Sequence, residues 1–212
     1  LYNRFVTANK IIRQTKSYEK PITHSNFSIH VMMGHQHVVM AIWSLASYYN
    51  NSKLIGQLYL HSDGSLTKQD EALLNKFFPS AIIIDPASAP NNYANKFVEY
   101  SGISNFRSRY PKSFFLRKLV DPLIIPDSDY RMIIDIDLLW FKDPSIIRQE
   151  VETQGRKSFM MTQPIDERNL RSYVYFQDGS RLHDKFTGYN GGIIFFHKDS
   201  LNPQKVLEYL QR

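Results

Sequence analysis

The chain has 212 residues, 42% hydrophobic and 14% aromatic, with no cysteine and 26 Lys and Arg against 20 Asp and Glu, a net charge of +6. This suits one globular domain with a sizeable core and excludes a disordered tail, a disulfide scaffold, Cys-ligated zinc and thiol catalysis. The basic residues are scattered, not gathered in a stripe, so an anionic small ligand or an acidic membrane surface fits the excess as well as a nucleic acid does.

No apolar run approaches the ~20 residues that span a bilayer, and no signal-like segment opens the chain. It begins on Leu1 and not Met, so it is expected to start inside a longer product. Residues 1–20 carry Arg4, Lys10, Arg13, Lys16 and Lys20 against Glu19 alone, which suits a solvated terminal arm or a segment lying on an acidic surface.

From residue 27 short apolar runs alternate with helix-period segments, the pattern of an α/β layer with a mainly parallel sheet. Phe27 to Met33 reads as the first strand, ending at Gly34, and residues 36–49 as a helix with Val38, Ile42, Leu45 and Tyr49 on its apolar face. Leu58 to Leu60 is the second strand. Thr67 and Asp70 form a capping box for a helix stopped by Pro79. After a third strand, Ala81 to Ile84, residues 87–111 lack clear periodicity and read as a long loop, with a helix over Ala94 to Tyr100 as the alternative. Arg107, Arg109 and Lys112 in that stretch suit a solvated loop or one facing phosphate. Residues 113–121 resume helical spacing, and Pro122 predicts the helix end there. Met132 to Ile134 is a fourth strand. Asp143 and Pro144 predict a capped helix through Glu152, and Asn202 and Pro203 repeat the device after strands at Ser158 to Met161 and Ile193 to Phe196.

The most informative stretch is Arg131-Met-Ile-Ile-Asp135-Ile-Asp137-Leu-Leu-Trp-Phe141. Because strand side chains alternate, Asp135 and Asp137 are expected to project from one face and Ile136 from the other, back into the core. In an open parallel sheet that position is the ligand crevice at the strands' carboxyl ends. Two adjacent carboxylates repel, so a cation should neutralise them, and hard oxygen donors favour Mg²⁺ or Mn²⁺ completed by water and phosphate. Asp127-Ser-Asp129 has the same letters but follows Pro126 without an apolar approach, and reads as a turn. His35 and His37 fall where a helix begins, a poor arrangement for a metal pair, and Asp63-Gly64 reads as a turn after the second strand.

The Ile133-Ile-Asp-Ile-Asp-Leu-Leu-Trp-Phe141 run resembles the DxD signature of the GT-A glycosyltransferases, most closely the glycogenin and lipopolysaccharide galactosyltransferase group. Tyr189-Asn190-Gly191-Gly192 resembles that group's Asn-small-Gly strand, and Lys118 or its neighbour Arg117 falls where the group carries a basic residue. Met33-Gly34-His35 matches the donor-binding opening loosely. The resemblance implies a single GT-A, Rossmann-like domain over residues 27–212, preceded by a basic segment over 1–26 and lacking its C-terminal part. It implies a metal-dependent hexosyltransferase-like enzyme with a nucleotide-diphosphate sugar as donor, a UDP-sugar first, and a glycan, lipid or protein acceptor.

The site so implied has Asp135 and Asp137 as metal ligands for Mn²⁺ or Mg²⁺, Asn190 beside them in catalysis, and Gly34, His35, Arg117, Lys118, Asp135, Gly191 and Gly192 against the donor. The group's third ligand, a His nearer the carboxyl end, has no counterpart before Arg212, and His197 lies too close to the Asn-Gly-Gly turn to replace it. The expected setting is the cytoplasmic or lumenal face of a membrane system. A non-catalytic nucleotide-sugar-binding module and a sugar nucleotidyltransferase are the alternatives; the latter lacks its Gly-rich basic loop after the first strand. Specific nucleic-acid binding is not expected.

Overall fold

A computed structural model describes residues 17, 18, 20–162 and 189–211. In chain order its elements are β1 (Phe27–Met33), α1 (Val38–Asn51), β2 (Gln57–Ser62), α2 (Lys68–Phe77), β3 (Ile82–Ile84), α3 (Ala89–Asn92), α4 (Ala94–Glu99), α5 (Ser101–Arg109), α6 (Phe114–Ile124), β4 (Tyr130–Ile134), α7 (Ser145–Glu152), β5 (Phe159–Thr162), β6 (Tyr189–His197) and α8 (Pro203–Leu210). The strands form one sheet in the order β3-β2-β1-β4-β6-β5. β1 to β4 pair in parallel, whereas β6 runs antiparallel to both β4 and β5.

The apolar run of β1 is buried at all seven positions because β1 is central and covered on both faces. Its alternation sorts the core. Phe27, Ile29, Val31 and Met33 join Leu58, Leu60, Met132 and Ile134 beneath α1, α2 and α7, while Ile133 and Phe196 face α3 to α6 and α8. The predicted capping box is present: the Thr67 hydroxyl accepts from the Asp70 amide at 3.2 Å, and the Asp70 carboxylate accepts from the Thr67 amide at 2.8 Å. The Asn202 cap also forms, with Oδ1 accepting from the Gln204 amide at 2.8 Å.

Four expectations need correction. Residues 87–111 are not a long loop but hold α3, α4 and α5, of four, six and nine residues. Helices that short show little periodicity and are held by packing of Ala89, Phe97 and Ile103 against α6 and α8. α6 does not stop at Asp121; Pro122 lies within it. Its carboxyl-terminal carbonyls are met instead by the buried Arg131 guanidinium, which donates to Pro122 O at 3.1 Å, to Leu123 O and to Pro126 O at 3.2 Å. Asp143 does not cap α7: its carboxylate accepts from Arg148 Nε and from the Lys53 amide, both at 2.9 Å. Finally, β4 ends at Ile134, so strand alternation does not aim Asp135 and Asp137; Ile136 and Asp137 form a turn beyond the strand.

Candidate functional site

The chain lays β1, β2 and β3 outward in one direction and then places β4 on the other side of β1. The reversal between β1 and β4 is the topological switch point, where the connections at the strands' carboxyl ends diverge and leave a crevice. Asp135 directly follows β4 there. Because β6 is antiparallel, its opening residues meet the same edge: the Asp135 amide donates to Gly192 O at 2.8 Å.

The first two turns of α6 supply cations to this edge. Lys118 Nζ donates to Asp135 Oδ1 and, at 3.0 Å, to Gly191 O, tying the end of β4 to the start of β6. The lysine side chain is 12% exposed and the aspartate 37%. Adjacent helix positions diverge by about 100°, and Arg117 accordingly reaches the other side, donating to Asp63 O at 3.1 Å just past β2. Arg117 is 7% exposed, and its Nε has no partner among the described residues. Since β2 and β4 flank β1, the two ends these cations touch lie roughly 10 Å apart across the mouth of β1.

Gly34 and His35 sit at the end of β1. A Cβ on Gly34 would lie 2.1 Å from Asp63 Oδ2 and 2.7 Å from Ser65 Oγ, so any larger residue there would have to displace the Asp63 and Ser65 side chains. Ser65 then bridges, its hydroxyl donating to Asp63 Oδ1 at 2.6 Å and accepting from the His35 amide at 2.9 Å. His35 Nδ1 meets Asp70 Oδ2 at 2.7 Å, and His37 takes no part in that contact. Burial pushes the Asp70 carboxyl up, but the Thr67 bonds and His35 outweigh it and hold it below the usual carboxylate range. By contrast with Gly34, among the described residues a Cβ on Gly191 would meet only Lys118 Nζ, at 3.7 Å. Asn190 pairs with Met161 in the sheet register at this same edge, and its side chain lies outside the described residues.

Other acids and bases resolve as structural. Asp127 pairs with Lys96 at 2.6 Å and Asp129 with Lys198 at 2.5 Å. Arg107 does not face a phosphate; it is buried against Asp121, with contacts of 2.5 and 3.0 Å. Arg109 and Lys112 are exposed. His197 opposes Tyr130 at the far end of β4, about 17 Å along the chain from Asp135.

The donor set fits a small hard cation. Asp137 is exposed in the turn and Asp135 keeps a second oxygen beside the one Lys118 engages. Two carboxylates with the remaining positions left to water and phosphate is the usual arrangement for Mg²⁺. Among the described residues there is no cluster of three or more His, Cys, Asp or Glu that could form an all-protein cage. Sequence reasoning missed Ser44, whose hydroxyl donates to Asp135 O at 3.4 Å, and the Asp63–Ser65 bridge. The Asp-Gly turn after β2 was the signal for the latter; nothing in the local sequence marks Ser44.

No protein-family model and no curated protein matches the chain. Solved structures do. The apo form of mouse xyloside xylosyltransferase 1 superposes with a TM-score of 0.53 at 15% identity, over 90% of this chain and 72% of that one. The apo structure of the bifunctional glycosyltransferase WbbM gives 0.57 at 11% identity, over 92% of this chain and 35% of that one. No helix among the described residues is long and apolar enough to cross a membrane. The superpositions, the six-stranded and mostly parallel sheet, and its helical cover on both faces together show that this chain has the GT-A fold.

Proposed function

We propose that the chain is the donor-binding part of a divalent-metal-dependent, hexosyltransferase-like glycosyltransferase, moving a sugar from a nucleotide diphosphate to a glycan, lipid or protein acceptor. The observation that carries the reading is the Lys118 bridge, which gathers Asp135 and the Gly191 carbonyl at the switch point of a GT-A fold. Two solved structures of similar overall shape carry glycosyltransferase names, which supports the same chemistry.

In this reading residues 27–212 form the nucleotide-sugar domain, and the described residues before it pack on it, the Tyr18 amide donating to Phe77 O and the Thr23 amide to Ile55 O, both at 2.9 Å. Asp135 and Asp137 would hold Mn²⁺ or Mg²⁺, which would supply positive charge to the diphosphate leaving group. Lys118 has three protons; two are engaged by Asp135 and Gly191, and the third is available to a donor oxygen. Arg117 adds positive potential above β1, and Gly34 and His35 shape the wall on the β2 side. Asn190 orients the donor sugar, with Gly191 and Gly192 presenting bare backbone to it.

Thermal melting with Mn²⁺ and UDP tests the site. At a hundredfold excess over the dissociation constant the midpoint should rise by roughly 5–10 °C. Asp137→Asn should abolish the shift. Lys118→Met should keep most of it while slowing UDP release from a matching UDP-sugar by about tenfold to a hundredfold. A protein that is folded and yet shows no metal-dependent shift with uridine or guanosine diphosphates would refute the donor site. Binding without release would leave a binding module in place of a transferase.

A further inference from the structure

Beyond the carboxylate turn, residues 138–146 present apolar side chains to solvent in a pattern that the core does not explain. Leu139 is 58% exposed, Phe141 81% and Ile146 67%, while Trp140 between the first two is turned inward. The inward turn is built. The Trp140 ring packs edge-on against Tyr48 at 5.1 Å, its amide donates to Ser47 Oγ at 2.9 Å, and its carbonyl accepts from Asn51 Nδ2 at 2.8 Å. With Trp140 pinned to α1, its two neighbours must project outward. The next turn is held as firmly: Asp143 accepts from the Lys53 amide at 2.9 Å and from Arg148, so the backbone carrying Phe141 is fixed at both ends.

The charges around the patch bear on its partner. Lys53 and Lys142 are exposed beside it, the acids Asp143 and Glu152 are both engaged by Arg148 at 2.9 Å, and Asp137, two residues before Leu139, is an exposed acid at its edge. Lys20 stands at the same end of α1, its Nζ donating to Tyr49 O. Protruding aliphatic and aromatic groups ringed by lysine are the chemistry of an anionic lipid surface, where apolar tips enter the acyl boundary and cations meet head groups. A sugar-binding platform would instead call for a flat aromatic face with polar groups converging on it.

We infer that Leu139, Phe141 and Ile146, with Lys53 and Lys142, form a peripheral docking surface for an anionic membrane. The inference does not depend on the glycosyltransferase reading. It does bear on the site, because Leu139 follows Asp137 by two residues, and its Cα lies at most about 7 Å from that of Asp137. A docked chain thus holds its carboxylate turn at the bilayer surface.

Flotation of the full 212-residue chain with phosphatidylcholine vesicles, with and without about 30% phosphatidylserine, tests this. The anionic vesicles should be bound about tenfold more tightly or better. Leu139→Ser with Phe141→Ser should weaken that binding roughly tenfold or more, while the melting midpoint stays at the wild-type value because both side chains are exposed. Lys53→Gln with Lys142→Gln should remove the preference for phosphatidylserine and leave the residual apolar binding. Absence of wild-type binding overturns the proposal, as does equal binding by the Leu139/Phe141 variant. A wild-type dimer that the variant loses would assign the patch to a second copy. Loss of transfer to a soluble glycan acceptor with vesicle binding intact would assign it to the acceptor. Either result overturns membrane docking without touching the donor site.

Discussion

The two faces of the sheet are built from alternate residues of the same strands, yet they solve burial in opposite ways. Under α1, α2 and α7 the strands present Phe27, Ile29, Val31, Met33, Leu58 and Leu60, and the face closes with hydrocarbon. Under α5, α6 and α8 the intervening residues include Ser28, His30, His61 and Arg131, none more than 6% exposed, with Arg107 and Asp121 buried above them. The first face needs only volume and shape. The second needs each polar group to meet a specific partner, and it is this face whose helix α6 carries Lys118 and Arg117 to the candidate site. Rigid polar anchoring of α6 fixes where those two cations stand at the edge.

The sharpest way to break that contrast is to orphan a charge. Asp121→Ala leaves the Arg107 guanidinium buried without its carboxylate, and should cost about 3–5 kcal/mol in a urea titration. Replacing the pair together, Arg107→Met with Asp121→Leu, should recover most of that loss, because an apolar pair of similar volume carries no desolvation penalty. If the single variant lost less than about 1 kcal/mol, water would have to reach Arg107 and the polar face would not be sealed.

On the hydrocarbon face the corresponding experiment is a cavity. Leu60 is fully buried in β2, and Leu60→Ala should cost about 3 kcal/mol. No partner exchange can rescue it; only a side chain that refills the volume can. The loss should be the same at pH 7.5 and pH 5.5, since no titratable group shares that packing, and a pH-dependent loss measured by the same titration would contradict the division of the two faces.

How much of this was legible follows the same division. The hydrocarbon face declares itself in sequence, because Phe27, Ile29, Val31 and Met33 alternate along one strand, and Thr67 with Asp70 marks α2 by local chemistry alone. The polar face does not. Its short helices α3 to α5 are fixed by contacts distant in sequence, the end of α6 past Pro122 is met by Arg131 from β4, and the reversed direction of β6 shows only in its antiparallel pairing with β4. At the candidate site the acids of Asp135 and Asp137 and the Asn190-Gly-Gly run stood out, and the choice between Arg117 and Lys118 did not. Neighbouring helical residues point about 100° apart, and only the docking angle of α6 assigns Lys118 to β4 and Arg117 to β2.

The smallest expected effect reports on the polar face most directly. His30 Nδ1 lies 3.0 Å from His61 Nε2, and Ser28 Oγ lies 2.8 Å from His30 Nε2 and accepts from the Ser128 hydroxyl at 2.6 Å. The Tyr59 ring stacks on His30 at 4.9 Å. Burial is the chief force holding both imidazoles neutral: it lowers His61 to about 4, and it lowers His30 well below its usual value, with further repulsion from His61 and Arg131. An unfolded chain protonates both near pH 6.5, so below that pH the unfolded state binds more protons than the native one. Stability should therefore be level above about pH 7 and fall as the pH drops toward 4, with each histidine contributing about 1.4 kcal/mol of the loss between pH 7.5 and pH 5.5. His61→Gln removes one of the two groups and should shrink the loss by that amount, read as the difference between urea titrations at the two pH values. The slope depends on the whole pocket excluding water, so an unchanged slope in His61→Gln would mean that the imidazoles titrate freely and that the face closed by α6 is open to solvent.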